Sequence, residues 1–427
     1  MTLPAKFVER VLRDLGGTEG AALCAALDAE PPVSVRLNPA KTGADTLPAG
    51  PDAGLPVPEA AGLPALAIAG RVPWSRDGRY LAVRPSFTLD PDFHAGAYYV
   101  QEASSQFVGH LLAAVRTEGA RILDLCAAPG GKTTLYASLA GPDGLVVANE
   151  IDRRRASVLA DNVRKWGTGN VAVTTCEPRA LGDFEAWFDV VAVDAPCSGE
   201  GMFRKDPDAR GEWSEGNVKQ CAARQDEILR EAWRALRPGG TLVYSTCTFN
   251  RDEDEGALER MAAWAGDEIA ESEETAVEDA WGIVCGRVGA FRTFRFYPHR
   301  TCGEGFFAAV ARKSFDAGGR VRAPKARRTV FAAVDRKTAG ELARWVRNPG
   351  GMHFAAVADT CYAWYAAQAD AVRTLSEALP VIYSGVALGQ VFKGVLKPDP
   401  ALAFFDGMNR GALPAAELDD EETLRFL

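Results

Sequence analysis

From residue 121 onward the chain alternates short, fully apolar runs with stretches of helical periodicity. The apolar runs fall at 121–125, 145–148, 171–174, 189–193 and 241–245, and each is bounded by turn-forming or charged residues. Runs without a polar face belong to strands buried on both sides, so the pattern predicts a parallel sheet covered by helices on each face. Asp152 is placed to cap a helix that ends near Trp166 with Gly167 at its C-terminus, and Ser214 to open another that stops at Pro238-Gly239-Gly240. After an acidic stretch at 252–279, two aromatic-rich runs at 291–297 and 305–311 predict an antiparallel pair at the sheet edge.

The flanks read differently. Residues 1–115 hold a capped amphipathic helix at 7–15 and strand-like pieces at 33–37 and 80–83, separated by a Pro/Gly/Ala-rich stretch at 47–66. A small α+β domain follows from that mixture. Beyond the sheet, a helix is predicted at 339–346 and turns around Tyr383-Ser384-Gly385. The domain division is then an N-terminal accessory domain at 1–115, an α/β domain at 116–313, a basic linker at 314–330 and a separate C-terminal accessory domain at 331–427.

A length of 427 residues exceeds what one ordinary core supports, and 47% hydrophobic with 25% charged residues is a globular composition. The N-terminus lacks the apolar core of a signal peptide and no apolar run is long enough to span a bilayer, which predicts a cytoplasmic protein. The nine cysteines form no C-x-x-C pair or zinc-ligand spacing, so reduced thiols and no metal site are expected. A net charge of −9 excludes a protein that coats nucleic acid by bulk positive charge. Any contact with RNA must instead be local, and one candidate is the stretch holding Arg312, Lys313, Arg320, Arg322, Lys325, Arg327 and Arg328 against the single acid Asp316, a solvated basic linker being the other reading.

The first predicted strand runs into Asp124-Leu125-Cys126-Ala127-Ala128-Pro129-Gly130-Gly131-Lys132-Thr133. A P-loop would need glycine at 126, where this chain has Cys126, so nucleotide hydrolysis is disfavoured. Small residues and two glycines let the backbone approach a ligand closely, as the amino-acid end of S-adenosylmethionine requires. Glu150, at the end of the second strand, is placed to accept from both ribose hydroxyls, and Glu177, just past the third, to face the adenine amino group.

The fourth and fifth strands end in Asp194-Ala195-Pro196-Cys197-Ser198-Gly199 and Ser245-Thr246-Cys247-Thr248-Phe249. In a doubly wound sheet those ends share the rim of the cofactor loop. Cytosine C5 is a poor nucleophile, and a thiolate adding to C6 makes an enamine whose C5 can attack a methyl sulfonium. Asp194 is a candidate partner for the N3 and N4 edge of the base. This chemistry leaves open which thiol attacks.

Taken together, the motifs at 123–133, 193–201 and 244–249 resemble those of the Nop/Sun-type RNA cytosine-5 methyltransferases. The resemblance implies a Rossmann-like class I methyltransferase core that uses S-adenosylmethionine, with Cys247 as the nucleophile and Cys197 assisting release. It also implies cofactor contacts from Cys126, Ala127, Ala128, Pro129, Gly130, Gly131, Lys132, Glu150, Glu177 and Asp194. Position 177 departs from the family, which usually has aspartate there. Tyr297-Pro-His-Arg, Gly303-Glu-Gly-Phe-Phe307 and the motif at 383–389 are similar to the bacterial RsmF group. That group implies a 16S ribosomal RNA substrate, a PUA-like C-terminal RNA-binding module and a monomer. A transfer RNA methyltransferase and a catalytically silent RNA-binding assembly factor are the competing readings, the second disfavoured by the intact cysteine pair.

Overall fold

The computed structural model describes residues 2–43 and 66–414 and, beyond these, 416–419, 422, 423 and 425. The Pro/Gly/Ala-rich stretch at 47–66 lies, apart from Leu66, outside the described residues. Near the N-terminus the helix Ala5–Leu15 buries Phe7 and Val11 as its periodicity predicts. The predicted side-chain cap is absent, because its N-cap residue is Pro4, which has no side-chain acceptor. Strands β1 (Val33–Leu37), β2 (Ile68–Arg71), β3 (Gly78–Leu81) and β4 (Tyr98–Tyr99) form an antiparallel sheet in the order β2-β3-β1-β4. The two faces of β1 divide by period two. Val35 and Leu37 enter the sheet's own core, whereas Arg36 reaches the helix Gly131–Ala140 and donates to Gly131 O at 3.1 Å and Thr134 Oγ1 at 2.6 Å.

The central sheet holds β5 (Arg121–Asp124), β6 (Leu145–Asn149), β7 (Val171–Thr174), β8 (Phe188–Asp194), β9 (Leu236–Thr246), β10 (Ile269–Ala270), β11 (Val284–Val288), β12 (Phe291–Phe296) and β13 (Phe306–Lys313). Strands β7, β6, β5, β8 and β9 run parallel in that order, and β13, β12 and β11 extend the sheet antiparallel. Leu123, Val147, Val191 and Leu242 pack into one core, and Ile122, Val146, Val190 and Val243 into the core on the opposite face. Each such side chain contributes about 1.5–3 kcal/mol on full burial, so both faces favour this sheet. The aromatic pair β12–β13 is antiparallel but not at the edge: β11 covers β12, and β13 lies on β9.

Asp152 caps the helix Arg153–Trp166, accepting from Arg154 N and Arg155 N at 2.9 Å, and Gly167 closes it with φ 88°. The helix Glu215–Ala235 starts at Ser214 as predicted but stops short of Pro238-Gly239-Gly240. Its last carbonyls, Arg234 O and Ala235 O, accept from Ala186 N and Trp187 N, which turns the chain into β9 at Leu236.

The C-terminal part is not wholly separate from the central sheet. It contains β14 (Ala332–Ala333), β15 (Met352–Val357), β16 (Thr360–Tyr365), β17 (Val381–Ser384), β18 (Val386–Phe392) and β19 (Val395–Pro398). Five of these form their own sheet, ordered β14-β15-β16-β18-β19, while β17 pairs antiparallel with β7 and ends the central sheet. The turn expected at 383–385 is the crossing point between the two sheets. Gly385 sits there with φ +61°, and a Cβ would lie 2.4 Å from Ala363 O, so only glycine fits. The helix predicted at 339–346 is Arg336–Ala343, opened by Asp335, whose side chain accepts from Thr338 N. Among the described residues no helix is long and apolar enough to cross a membrane.

Candidate active site

The loop after β5 begins at Asp124, whose buried carboxylate accepts from Thr133 Oγ1 at 2.6 Å while its Oδ1 has no hydrogen-bond partner. Burial pushes this carboxyl up to about 7. The chain passes through a cis Ala128-Pro129 bond to Gly130, with φ +110°, and enters the helix Gly131–Ala140. Ala127 and Ala128 are buried, and Ala127 N donates to Asn149 O at 2.9 Å, which keeps the loop beside the end of β6. Asn162 Nδ2 and Arg155 Nη2 hold it from the helix Arg153–Trp166, donating to Pro129 O at 2.8 Å and Ala128 O at 2.9 Å.

Glu150 is buried at the end of β6, where one oxygen accepts from Asp152 N at 3.1 Å and the other pairs with Arg155 at 3.2 Å. Glu177 is exposed at the N-cap position of the helix Pro178–Gly182 and makes no side-chain cap bond. Its turn is tied to the β6 end, because Asn149 Nδ2 donates to Cys176 O at 3.0 Å. Burial raises the Cys126 thiol, and the neighbouring Asp124, Asp194 and Glu150 carboxylates raise it further. Asp194, at the end of β8, accepts from Ser245 Oγ at 2.7 Å and pairs with Lys132 Nζ at 2.9 Å. Lys132 is thereby committed to a carboxylate at the strand-end rim.

Register brings the cysteine loops together. Asp194 lies opposite Ser245 in the parallel β8–β9 pair, so the loops leave the same end of the sheet. Cys197 Sγ and Cys247 Sγ are 3.2 Å apart, and Cys247 N donates to Cys197 Sγ at 3.3 Å. The hydrogen bond with Cys247, then burial, holds the Cys197 thiol well above its ordinary range. The two sulfurs are therefore within proton-transfer distance of each other.

Several residues that the sequence did not single out hold this pair. Glu253, fully buried, accepts from Ser198 N and from Gln225 Nε2, both at 2.9 Å. Asn250 reaches Thr248 Oγ1 at 2.8 Å and Glu253 Oε1 at 2.6 Å. Glu200, also fully buried, accepts from Trp213 Nε1 at 2.8 Å and Phe249 N at 3.1 Å and pairs with Arg10 at 2.7 Å. Nothing in the sequence marks Glu253 among the acids of 252–255 or sets Glu200 apart as buried; only the fold reveals which carboxylates lose water.

The basic stretch is only partly free for RNA. Lys313 is buried, with its ammonium donating to Trp233 O and Leu236 O, Arg312 pairs with Glu273, and Arg328 donates to Ser376 O and Leu379 O. Arg320, Arg322, Lys325 and Arg327 remain exposed. Sequence counts cations but not the carbonyls they cap.

A family model described as 16S rRNA methyltransferase RsmB/F matches residues 111–312, and one described as the N-terminal domain of 16S rRNA methyltransferase RsmF matches residues 3–103. Ribosomal RNA small subunit methyltransferase F of Enterobacter sp. (strain 638) is 37% identical over 249 residues, 57% of this chain and 51% of that protein. The protein of that name from Shewanella loihica is 36% identical over 278 residues, 62% of this chain and 56% of that one. The chain thus spans about half the length of the curated relatives it matches. Among solved structures, a methyltransferase homolog protein from Pyrococcus horikoshii aligns with a TM-score of 0.57 at 26% identity, over 73% of this chain and all of that one. NSun6 from Pyrococcus horikoshii with SFG aligns at 0.56 and 20% identity, over 73% of this chain and 98% of that one, a likeness of fold. With its N-terminal and catalytic parts both matched, the chain belongs to the RsmB/F methyltransferase family.

Proposed function

We propose that the protein methylates carbon 5 of cytosine in small-subunit ribosomal RNA, in the cytoplasm and as a monomer, using S-adenosylmethionine. The observation that carries the reaction type is the pair of thiols 3.2 Å apart at the rim of the small-residue loop. The RNA class rests on the family descriptions and the names of the relatives, and the monomer on the family resemblance alone.

The residues at the rim fit the methyl donor. Asp124 Oδ1 is a buried acceptor with no partner, suited to the α-amino group. Glu150 presents a buried carboxylate for ribose hydroxyls, the backbone of 126–132 lines the amino-acid end, and Glu177 lies in the turn held next to Glu150. When bound, this cofactor supplies an electrophilic methyl on a sulfonium.

Cys247, as a thiolate, adds to C6 of the unstacked base, and the C5=C6 electron pair moves to make C5 nucleophilic. Asp194, anchored by Ser245 and Lys132, holds the N3 and N4 edge. After C5 has been methylated, release breaks the C5–H bond, whose pair re-forms C5=C6, and the C6–Sγ bond, whose pair returns to Cys247. Cys197 gives its proton to that departing sulfur and takes one from C5. The 3.2 Å between the two sulfurs lets a proton pass directly from one to the other, and the family resemblance supports this division of roles.

Cys247→Ala is expected to abolish methyl transfer, and Cys197→Ala to trap a covalent protein–RNA adduct on denaturing gels. Normal turnover by Cys247→Ala sinks the assignment. Bisulfite sequencing of total RNA with and without the gene identifies the RNA class, and a lost mark confined to transfer RNA overturns the ribosomal substrate.

A further inference from the structure

We infer that Glu253 and Asn250 are positioning residues for release of the methylated base, holding the Cys197 loop against the Cys247 loop. The inference rests on the roles proposed above for the two cysteines. Neither residue touches a sulfur. Glu253 Oε2 accepts from Ser198 N at 2.9 Å and from Gln225 Nε2 at 2.9 Å, and Gln225 donates in turn to Pro196 O at 3.0 Å. Cys197 is therefore gripped at the residues on both of its sides. Asn250 fastens the other loop: its Nδ2 lies 2.8 Å from Thr248 Oγ1 and 3.2 Å from Ser198 Oγ, and it closes on Glu253 Oε1 at 2.6 Å. The two hydroxyls are themselves 3.1 Å apart.

Glu253 and Gln225 are fully buried and Asn250 is 1% exposed, so water does not compete for these bonds. An apolar side chain would fill the same space at a lower desolvation cost. Past the last ladder pair, Asp194 and Ser245, one backbone bond joins the loops, Gly201 N donating to Cys247 O at 2.9 Å; what the acceptor oxygens add is a fixed separation on the Cys197 side of that bond. That separation sets whether Cys197 can give its proton to Cys247 as the C6–Sγ pair returns to sulfur and the C5 proton passes to Cys197. The Glu253 charge also adds to the forces keeping the Cys197 thiol protonated.

The test uses the full chain with an unmodified 16S ribosomal RNA transcript and S-adenosylmethionine. In Glu253→Gln the amide NH2 faces either Asn250 or the Ser198 and Gln225 donors, so one or two links are lost with little change in shape. Loss of alignment is expected to lower kcat roughly ten- to hundredfold while KM for RNA stays within about twofold. Adduct accumulates towards the Cys197→Ala level, and the pH profile for alkylation of Cys197, read by peptide mass spectrometry, moves to lower pH. Asn250→Ala, which keeps the Glu253–Ser198 bond, is expected to accumulate adduct as well, and it decides the matter if Glu253→Gln melts early by circular dichroism. Wild-type adduct levels in the folded variants, with Cys197→Ala still trapping, overturn the inference alone. A Cys197→Ala enzyme that traps nothing overturns instead the roles on which it rests.

Discussion

At the scale of single residues, Asp124 ties protonation to the cofactor loop. Burial raises its carboxyl to about 7, so in the free protein it gains charge only as the pH climbs through neutrality. An ammonium group needs the charged form. Affinity for S-adenosylmethionine, measured by calorimetry, is expected to fall about tenfold per unit below pH 7. It falls again above about pH 8, where the ligand's own α-amino group loses its proton. Asp124→Asn, which still accepts from Thr133, is expected to lose the acid limb; an unchanged profile would remove Asp124 from the site. The same raised pKa bears on stability with the opposite sign. Because the folded state holds the Asp124 proton more tightly than the unfolded chain, its contribution to stability is present at acid pH and is lost as pH rises to about 7.

At the scale of elements, the helix Ala5–Leu15 packs Phe7 and Val11 with Phe203 and Phe249 and is also fastened to the catalytic loops by a buried ion pair. Glu200 is fully buried beside Cys197, and Arg10 supplies its only cationic partner among the ion pairs described. Removing one member of a buried pair leaves an uncompensated charge and costs about 3–5 kcal/mol. Arg10→Ala is expected to lower stability by about 3 kcal/mol in urea unfolding, because the site is partly open to water on the arginine side. Lys6→Ala, which removes an exposed pair with Glu215 on the same helix, is expected to leave the midpoint unchanged. Equal effects from the two variants would show that Glu200 is not held by Arg10.

At the scale of the whole molecule, the segment 314–330 connects β13 to the C-terminal sheet, while β17 binds that C-terminal part back onto β7. Arg328 is exposed but its guanidinium donates to Ser376 O and Leu379 O, so the exposed cations without such a carbonyl bond are Arg320, Arg322, Lys325 and Arg327. Replacing these four with glutamine is expected to weaken RNA binding and lower the salt slope by about 0.7–0.9 for each phosphate no longer neutralised, with S-adenosylmethionine affinity unchanged. An unaltered salt slope would make the segment a solvated connection.

Much of the catalytic region was legible in the residues alone. Strands β5 to β9, the Asp152 and Ser214 caps, the small-residue loop and the two cysteine loops follow from local periodicity, cap chemistry and motif spacing, which depend on residues close together in the chain. The pairing of Cys197 with Cys247 was legible too, because parallel strands must end on one rim. Tertiary structure alone decided the rest. The holdings of Glu253, Asn250, Glu200 and Arg10 join residues up to 190 positions apart. Their meaning depends on burial, which turns an ordinary acid into a fixed acceptor. The strand β17 crosses to the central sheet because β7 offers an open ladder, and Lys313 is withdrawn from the basic stretch because two carbonyls need a donor. Sequence determined which elements form and where the thiols go, since these are short-range consequences of residue type. Only the packed molecule decided which polar groups lose water, and that loss gives them their roles.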